Sequence, residues 1–211
     1  VVEFFYDYGD RASYLLDAHL AAAVDRIGVA VAPRPFELRP SRGENPSAGD
    51  RKAGRERPAA GGAVGGDSGD GIEADLPGEA RAIGLPLEPP AFVPRSRKAH
   101  ELALYARDQG CFLPVHEEIF RVLWGEGRDI GRVDVLVELA ASAGLEASEA
   151  KVVLDVDKYG PVVDAERRRA ERLGVEGVPT LLAGARRLEG FHRVEEILTF
   201  LENVSEGEMP K

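Results

Sequence analysis

The stretch FFYDYGDRASYLL, residues 4–16, passes from an apolar strand through a glycine turn into a helix. Val1 to Tyr8 is nearly all apolar and rich in β-branched and aromatic side chains, which suits a strand buried on both faces. Gly9 interrupts it. From Arg11 to Ile27 the spacing is helical, with Leu16, Leu20, Val24 and Ile27 on one stripe and Gly28 as the stop. Val29 to Leu38, VAVAPRPFEL, reads as a second strand. Its Pro33 and Pro35 remove two ladder donors, which places it at an edge. A right-handed crossover makes the two strands parallel, so the chain opens β-α-β.

Beyond this unit the pattern changes three times. Residues 41–80 are dominated by Gly, Ala, Pro and charge without apolar periodicity, the composition of a long mobile loop. Within it, GGAVGGDSGDG lacks the Lys-Ser/Thr pair of a phosphate-binding loop. DSGDGIEAD puts glycines where a calcium loop needs oxygen ligands. From Pro94 to Gly174 the chain is helical, with Ser96 and Ser148 as expected caps and Gly110, Gly144 and Gly174 as stops. Its last helix, about Pro161 to Leu173, carries ERRRAER, read as a solvated face because acids interleave the arginines. GVPTLLAGARRLEG then reads as a β-hairpin, and Val194, Ile197, Leu198 and Leu201 mark a closing helix.

Composition narrows the function. The 211 residues are 44% hydrophobic and 30% charged, a globular profile, and the net charge is −10. Such a surface repels phosphate, so neither nucleic acid nor an anionic membrane is an expected partner. No apolar run approaches the ~20 residues that span a bilayer. With no basic leader ahead of the first strand and a lone cysteine, Cys111, the expected location is cytoplasmic. His19, His100, His116 and His192 show no metal-ligand spacing, and no metal is expected. Tyr14, Phe36 and Trp124 are read as core rather than pocket lining.

This order of elements resembles the thioredoxin fold with a helical insertion. It is most similar to the DsbA-like superfamily, in particular its FrnE-like, 2-hydroxychromene-2-carboxylate isomerase and kappa-class glutathione transferase branches. The resemblance rests on VEFFYDYGDRASYLL (2–16), FELRP (36–40), FRVLWGEGRDIGRVDVLVELAASAGL (120–145) and GVEGVPTLLAG (174–184). The implied architecture is α/β: a thioredoxin domain over 1–40 and 160–204, a loop over 41–90, a helical insert over 91–159 and a tail over 205–211. In such families the turn after the first strand reads Cys-x-x-Cys, or Ser-Pro-Tyr-Ser in the isomerase and transferase branches. Here the same four positions are Asp10, Arg11, Ala12 and Ser13.

That departure carries the functional expectation. Thiol–disulfide exchange needs an attacking thiolate and a resolving thiol, and this turn has neither. Asp10 suits an N-cap, worth about 1 kcal/mol over Ala, and the helix dipole is expected to keep it ionised. Asp10 and Ser13 are the candidate catalytic residues. Whether Asp10 caps alone or also meets substrate, as general base or cation-binding group, stays open, as does whether the Ser13 hydroxyl donates outward or bonds within its helix. The resemblance implies that Val178-Pro179 is a cis pair whose backbone offers a donor and an acceptor to an extended ligand; by itself the dipeptide could equally be a trans proline opening a strand. Phe191 and His192 stand where the kappa-class pattern has Ser-Asp. His192 with Arg193 could bind an anion or be plain surface.

The expected function is therefore a redox-inactive binding module. It would hold a peptide or small organic ligand between the Asp10 turn and Val178-Pro179, as monomer or homodimer and without a required cofactor. The alternative is an isomerase or transferase using glutathione in that groove.

Overall fold

In a computed structural model of the chain, residues 1–40 and 75–207 are described, with side chains as far as residue 204. The mobile-loop reading of 41–74, with its two rejected motifs, and the end of the expected tail at 208–211 lie outside the described residues.

Strand β1 (Val2–Tyr6) leads through the turn into α1 (Arg11–Ile27) and then β2 (Val31–Pro35). Helix α1 stops at Gly28, whose φ of 74° lets its N–H reach the Val24 carbonyl. After α2 (Leu76–Ala82) come α3 (Arg97–Asp108), α4 (Phe112–Trp124), α5 (Val133–Ser142), α6 (Ala147–Asp155) and α7 (Gly160–Arg172). The hairpin β3 (Thr180–Ala183) and β4 (Arg186–Glu189) precedes α8 (Val194–Gly207). No helix among the described residues is long and apolar enough to cross a membrane.

The sheet order is β2-β1-β3-β4. β1 pairs parallel with β2, Phe4 opposite Pro33 and Tyr6 opposite Pro35, and antiparallel with β3. The two prolines thus sit in an edge strand, where a missing donor leaves no neighbour unpaired. β1 is flanked by strands on both sides, and its alternate side chains serve opposite faces. Phe4 and Tyr6 join the main core with α1, the helical block and α8. Phe5 joins a smaller cluster with Phe36, Ala170 from α7, Val175, Val178 and Leu182. Tyr14, Phe36 and Trp124 are buried, so they are core.

Four local expectations need correction. Leu76–Ala82 is helix rather than loop, because Asp75 accepts from the Gly78 N–H and Ala80 is buried. The helix expected to begin at Ser148 is capped instead by Glu146, which accepts the Glu149 N–H and the Ser148 hydroxyl. Helix α8 runs on through 205–207 rather than giving way to a tail at 205. The arginine run of α7 is only partly a solvated face. Arg169 bonds both oxygens of Glu3 at 2.8 Å, and Arg167 lies 5.4 Å from the centre of the Phe36 ring while donating to the Glu37 carbonyl. These contacts dock α7 against the sheet, as buried long side chains do through stem and head together.

Candidate functional site

The turn after β1 lies at the end of the sheet where β3 begins, since β1 and β3 run antiparallel. Asp10 has extended backbone, φ −107° and ψ 121°, and is the N-cap of α1. Its Oδ2 accepts both the backbone N–H and the hydroxyl of Ser13, each at 2.7 Å. The Ser13 side chain is fully buried, and its oxygen also lies 3.4 Å from the Asp7 N–H, which donates to it. The hydroxyl is therefore spent inside the turn. Burial pushes the Asp10 carboxyl up to about 6; the Ser13 bonds pull it down, and the Asp7 charge adds to the rise. Desolvation thus opposes the cap bonds, and a group at about 6 remains mostly ionised at neutral pH.

Asp7, which the sequence reading passed over, anchors the turn from beneath. It is buried, and its two oxygens accept the Gly9 N–H at 2.9 Å and the Leu38 N–H at 2.7 Å. His100 Nε2 lies 3.4 Å away, within ion-pair reach although outside good hydrogen-bond geometry. Burial pushes Asp7 upward, yet His100, the Ser96 hydroxyl and the Leu38 N–H together hold it below its ordinary range. Ser96, at the N-cap of α3, makes no cap bond. A carboxylate inside the otherwise apolar FFYDY run was the available signal: such a group needs several donors to remain buried.

The helical block reaches the same turn. Trp124 Nε1 donates to the Tyr8 carbonyl at 2.9 Å. The Tyr6 hydroxyl meets the Tyr8 hydroxyl at 3.4 Å, Tyr8 meets His116 Nδ1 at 2.8 Å, and His116 Nε2 meets Asp17 Oδ1 at 3.2 Å. In the tautomer that donates from Nε2 to Asp17, His116 Nδ1 accepts from the Tyr8 hydroxyl. Burial pushes the Tyr6 and Tyr8 hydroxyls well above their ordinary range. They are structural donors here, not acids.

Opposite the turn the Val178–Pro179 peptide bond is cis, and the Pro179 carbonyl accepts the Gly190 N–H at 2.8 Å. Val178 itself is buried. His192 and Arg193 come next after β4 and are engaged with acids and carbonyls. His192 Nε2 is 3.0 Å from the Glu189 carbonyl oxygen and Nδ1 is 3.5 Å from Glu196. Arg193 donates to Glu79 of α2 through Nε at 2.9 Å and through Nη2. Phe191 meets the His19 ring edge-on at 5.3 Å, and burial pushes His19 below its ordinary range. The structure thus brings Asp10 and Ser13 into contact, and gives His192 and Arg193 partners of their own.

Cys111 stands half-buried at the N-cap of α4, packed against the core. Among the described residues no three His, Cys, Asp or Glu side chains group as metal ligands.

A family model described as "DSBA-like thioredoxin domain" matches residues 1–202. Among solved structures, the chain is similar to a probable DsbA oxidoreductase from Streptomyces coelicolor, with 25% identity, TM-score 0.77, and coverage of 100% of this chain and 92% of that one. A 2-hydroxychromene-2-carboxylate isomerase matches at 22% identity and TM-score 0.71, covering 98% and 94%. The cytosolic disulfide reductase DsbM from Pseudomonas aeruginosa with GSH matches at 21% and TM-score 0.63, covering 97% and 98%. The last two likenesses, at that identity, concern the fold. No curated protein matches the chain.

Proposed function

Because the chain belongs to the DSBA-like thioredoxin domain family, we propose that it is a redox-inactive member that binds a peptide or small organic ligand between the Asp10 turn and Val178-Pro179. The observation that carries this reading is the Asp10–Ser13 pair. A carboxylate and a fully buried hydroxyl occupy the positions from which the family's reactive groups act. The only cysteine, Cys111, is on α4's cap and cannot cycle as a dithiol by itself. What remains is an acceptor at the turn and a backbone edge at Val178, the elements of strand-like recognition.

Glutathione fits these residues poorly. A carboxylate beside a bound sulfur raises the thiol's proton affinity instead of holding a thiolate. Ser13 cannot turn outward without abandoning its bond to Asp10. Arg193, in the stretch where a γ-glutamyl group would be held, is engaged with Glu79.

The second reading is an isomerase or transferase that uses glutathione in the same groove, with Asp10, the cap of α1, moving a proton. Burial places Asp10 at about 6, where a carboxyl can both take and return a proton near neutral pH.

Calorimetry with glutathione, on wild type and Asp10→Ser, separates these readings. The binding-module reading expects no wild-type heat, with weak heat at most in the variant, and no insulin reduction. Tight wild-type binding with turnover of a chromene carboxylate would overturn it.

A further inference from the structure

We infer that the outer edge of β4 is a self-association site, where a second copy of this chain adds its own β4 antiparallel and extends the sheet across the two molecules.

The sheet order leaves β2 at one edge and β4 at the other. β2 has no N–H at Pro33 or Pro35. β4 contains no proline, and Arg186, Arg187 and Glu189 are exposed. The direction of its backbone groups is fixed by β3. Gly190 donates to the Pro179 carbonyl at 2.8 Å, and residues of an antiparallel strand face the neighbour alternately. Arg186, Leu188 and Gly190 therefore turn their backbone groups to β3, while Arg187 and Glu189 turn theirs outward. Outside the β3–β4 ladder, no backbone hydrogen bond reaches Arg187 or Glu189 among the described residues. The Glu189 carbonyl has one side-chain contact, His192 Nε2 at 3.0 Å. A row of outward donors and acceptors is a template for another strand.

Charge selects the occupant and its register. Outward groups pair only with outward groups, so a second β4 has three ways to stand: Arg187 opposite Arg187, Glu189 opposite Glu189, or Arg187 opposite Glu189. The first two set like charges directly across from each other, which destabilises a pair. The third sets opposite charges across from each other on both sides of the two-fold axis, with Leu188 against Leu188 at the centre. Each Arg187–Glu189 position then exchanges a pair of N–H···O bonds. The strand is complementary to itself in that register alone. Arg187 already lies 3.2 Å from Glu189 of its own strand, so the ion pair changes partners at an exposed position where little hydration is lost. Its bonds to the Gly174 and Leu173 carbonyls fix the guanidinium beside the strand. The His192 contact gives way to the Arg187 N–H of the second copy, one bond replacing another. So short an edge buries less than a permanent dimer does, which makes the association weak and concentration-dependent.

The test combines sedimentation velocity with amide exchange on the full chain, from about 5 μM to about 500 μM, a range that brackets a weak pairing. Wild type should pass from one copy to two. The Arg187 and Glu189 amides should exchange fast when dilute and about tenfold more slowly when concentrated. Glu189→Arg puts Arg opposite Arg and should weaken the pairing by at least about tenfold. The double variant Arg187→Glu, Glu189→Arg restores opposite charges in the same register and should restore pairing. Both backbones face away from β3, so the ladder stays intact, and thermal unfolding checks that each variant is folded. Wild type that stays monomeric, Glu189→Arg that pairs as wild type does, or a folded double variant that stays monomeric would overturn the inference. Association that leaves both amides fast would overturn it too. So would amides already protected in the dilute sample, because residues 41–74 of the same chain would then cover the edge.

Discussion

Asp10 Oδ2 accepts two bonds from one residue, the Ser13 N–H and the Ser13 hydroxyl, each at 2.7 Å. Removing the hydroxyl leaves the cap bond in place and isolates the second bond. Ser13→Ala should therefore lower stability by about 1 kcal/mol in urea titrations. It should also raise the Asp10 titration midpoint in carboxyl NMR, because the Ser13 hydroxyl favours the anion. A midpoint that falls would contradict the assigned geometry.

The pH dependence of stability follows from the same carboxyl. Folding raises Asp10 from 3.8 to about 6, so the native state holds this proton more tightly than the unfolded chain. The stabilisation it gives is complete below 3.8 and is lost as pH rises through about 6. Asp7 shifts in the opposite direction, so its contribution is present above its ordinary range and is lost in acid. Asp10→Asn, measured against wild type by denaturation, should gain relative stability from pH 4 to about 6 and change little above that. A constant difference across this window would contradict the shift.

Trp124 ties the helical block to the turn through the Tyr8 carbonyl. Trp124→Phe keeps most of the ring but leaves that buried carbonyl without its indole donor. The expected loss is about 1–3 kcal/mol by urea unfolding. A loss within experimental error would show that another donor replaces the indole.

The Glu79–Arg193 pair joins α2 to the start of α8. Arg193→Ala should speed hydrogen exchange across Leu76–Ala82, while the global unfolding midpoint stays put, because exposed pairs contribute little to overall stability. Unchanged exchange in this helix would mean that the buried Ala80 contact holds it alone.

Much of the site was legible because it is local. Asp10 bonds Ser13 three residues away, a spacing that any helix start imposes on its cap. Pro33 and Pro35 marked the edge strand because a residue without an N–H cannot serve a central one. Asp7 was not legible, although it lies in the same stretch. Gly9 and Leu38 donate to it and His100 lies 3.4 Å away, so its surroundings come from separate parts of the fold. His192 and Arg193 looked like an anion site in sequence for the same reason: Glu79, which takes up Arg193, lies over a hundred residues away and in a segment whose composition reads as loop.

The sequence by itself determined the order of elements, the strand–turn–helix at the start and the identity of the four residues in the turn. Those depend on periodicity, on glycine and proline, and on covalent neighbours. The tertiary structure alone decided the charge behaviour of the turn. Burial raises Asp10, while its neighbours together hold Asp7 below its ordinary range. Desolvation is a sum over everything that packs around a group, and most of what packs around this turn comes from far along the chain.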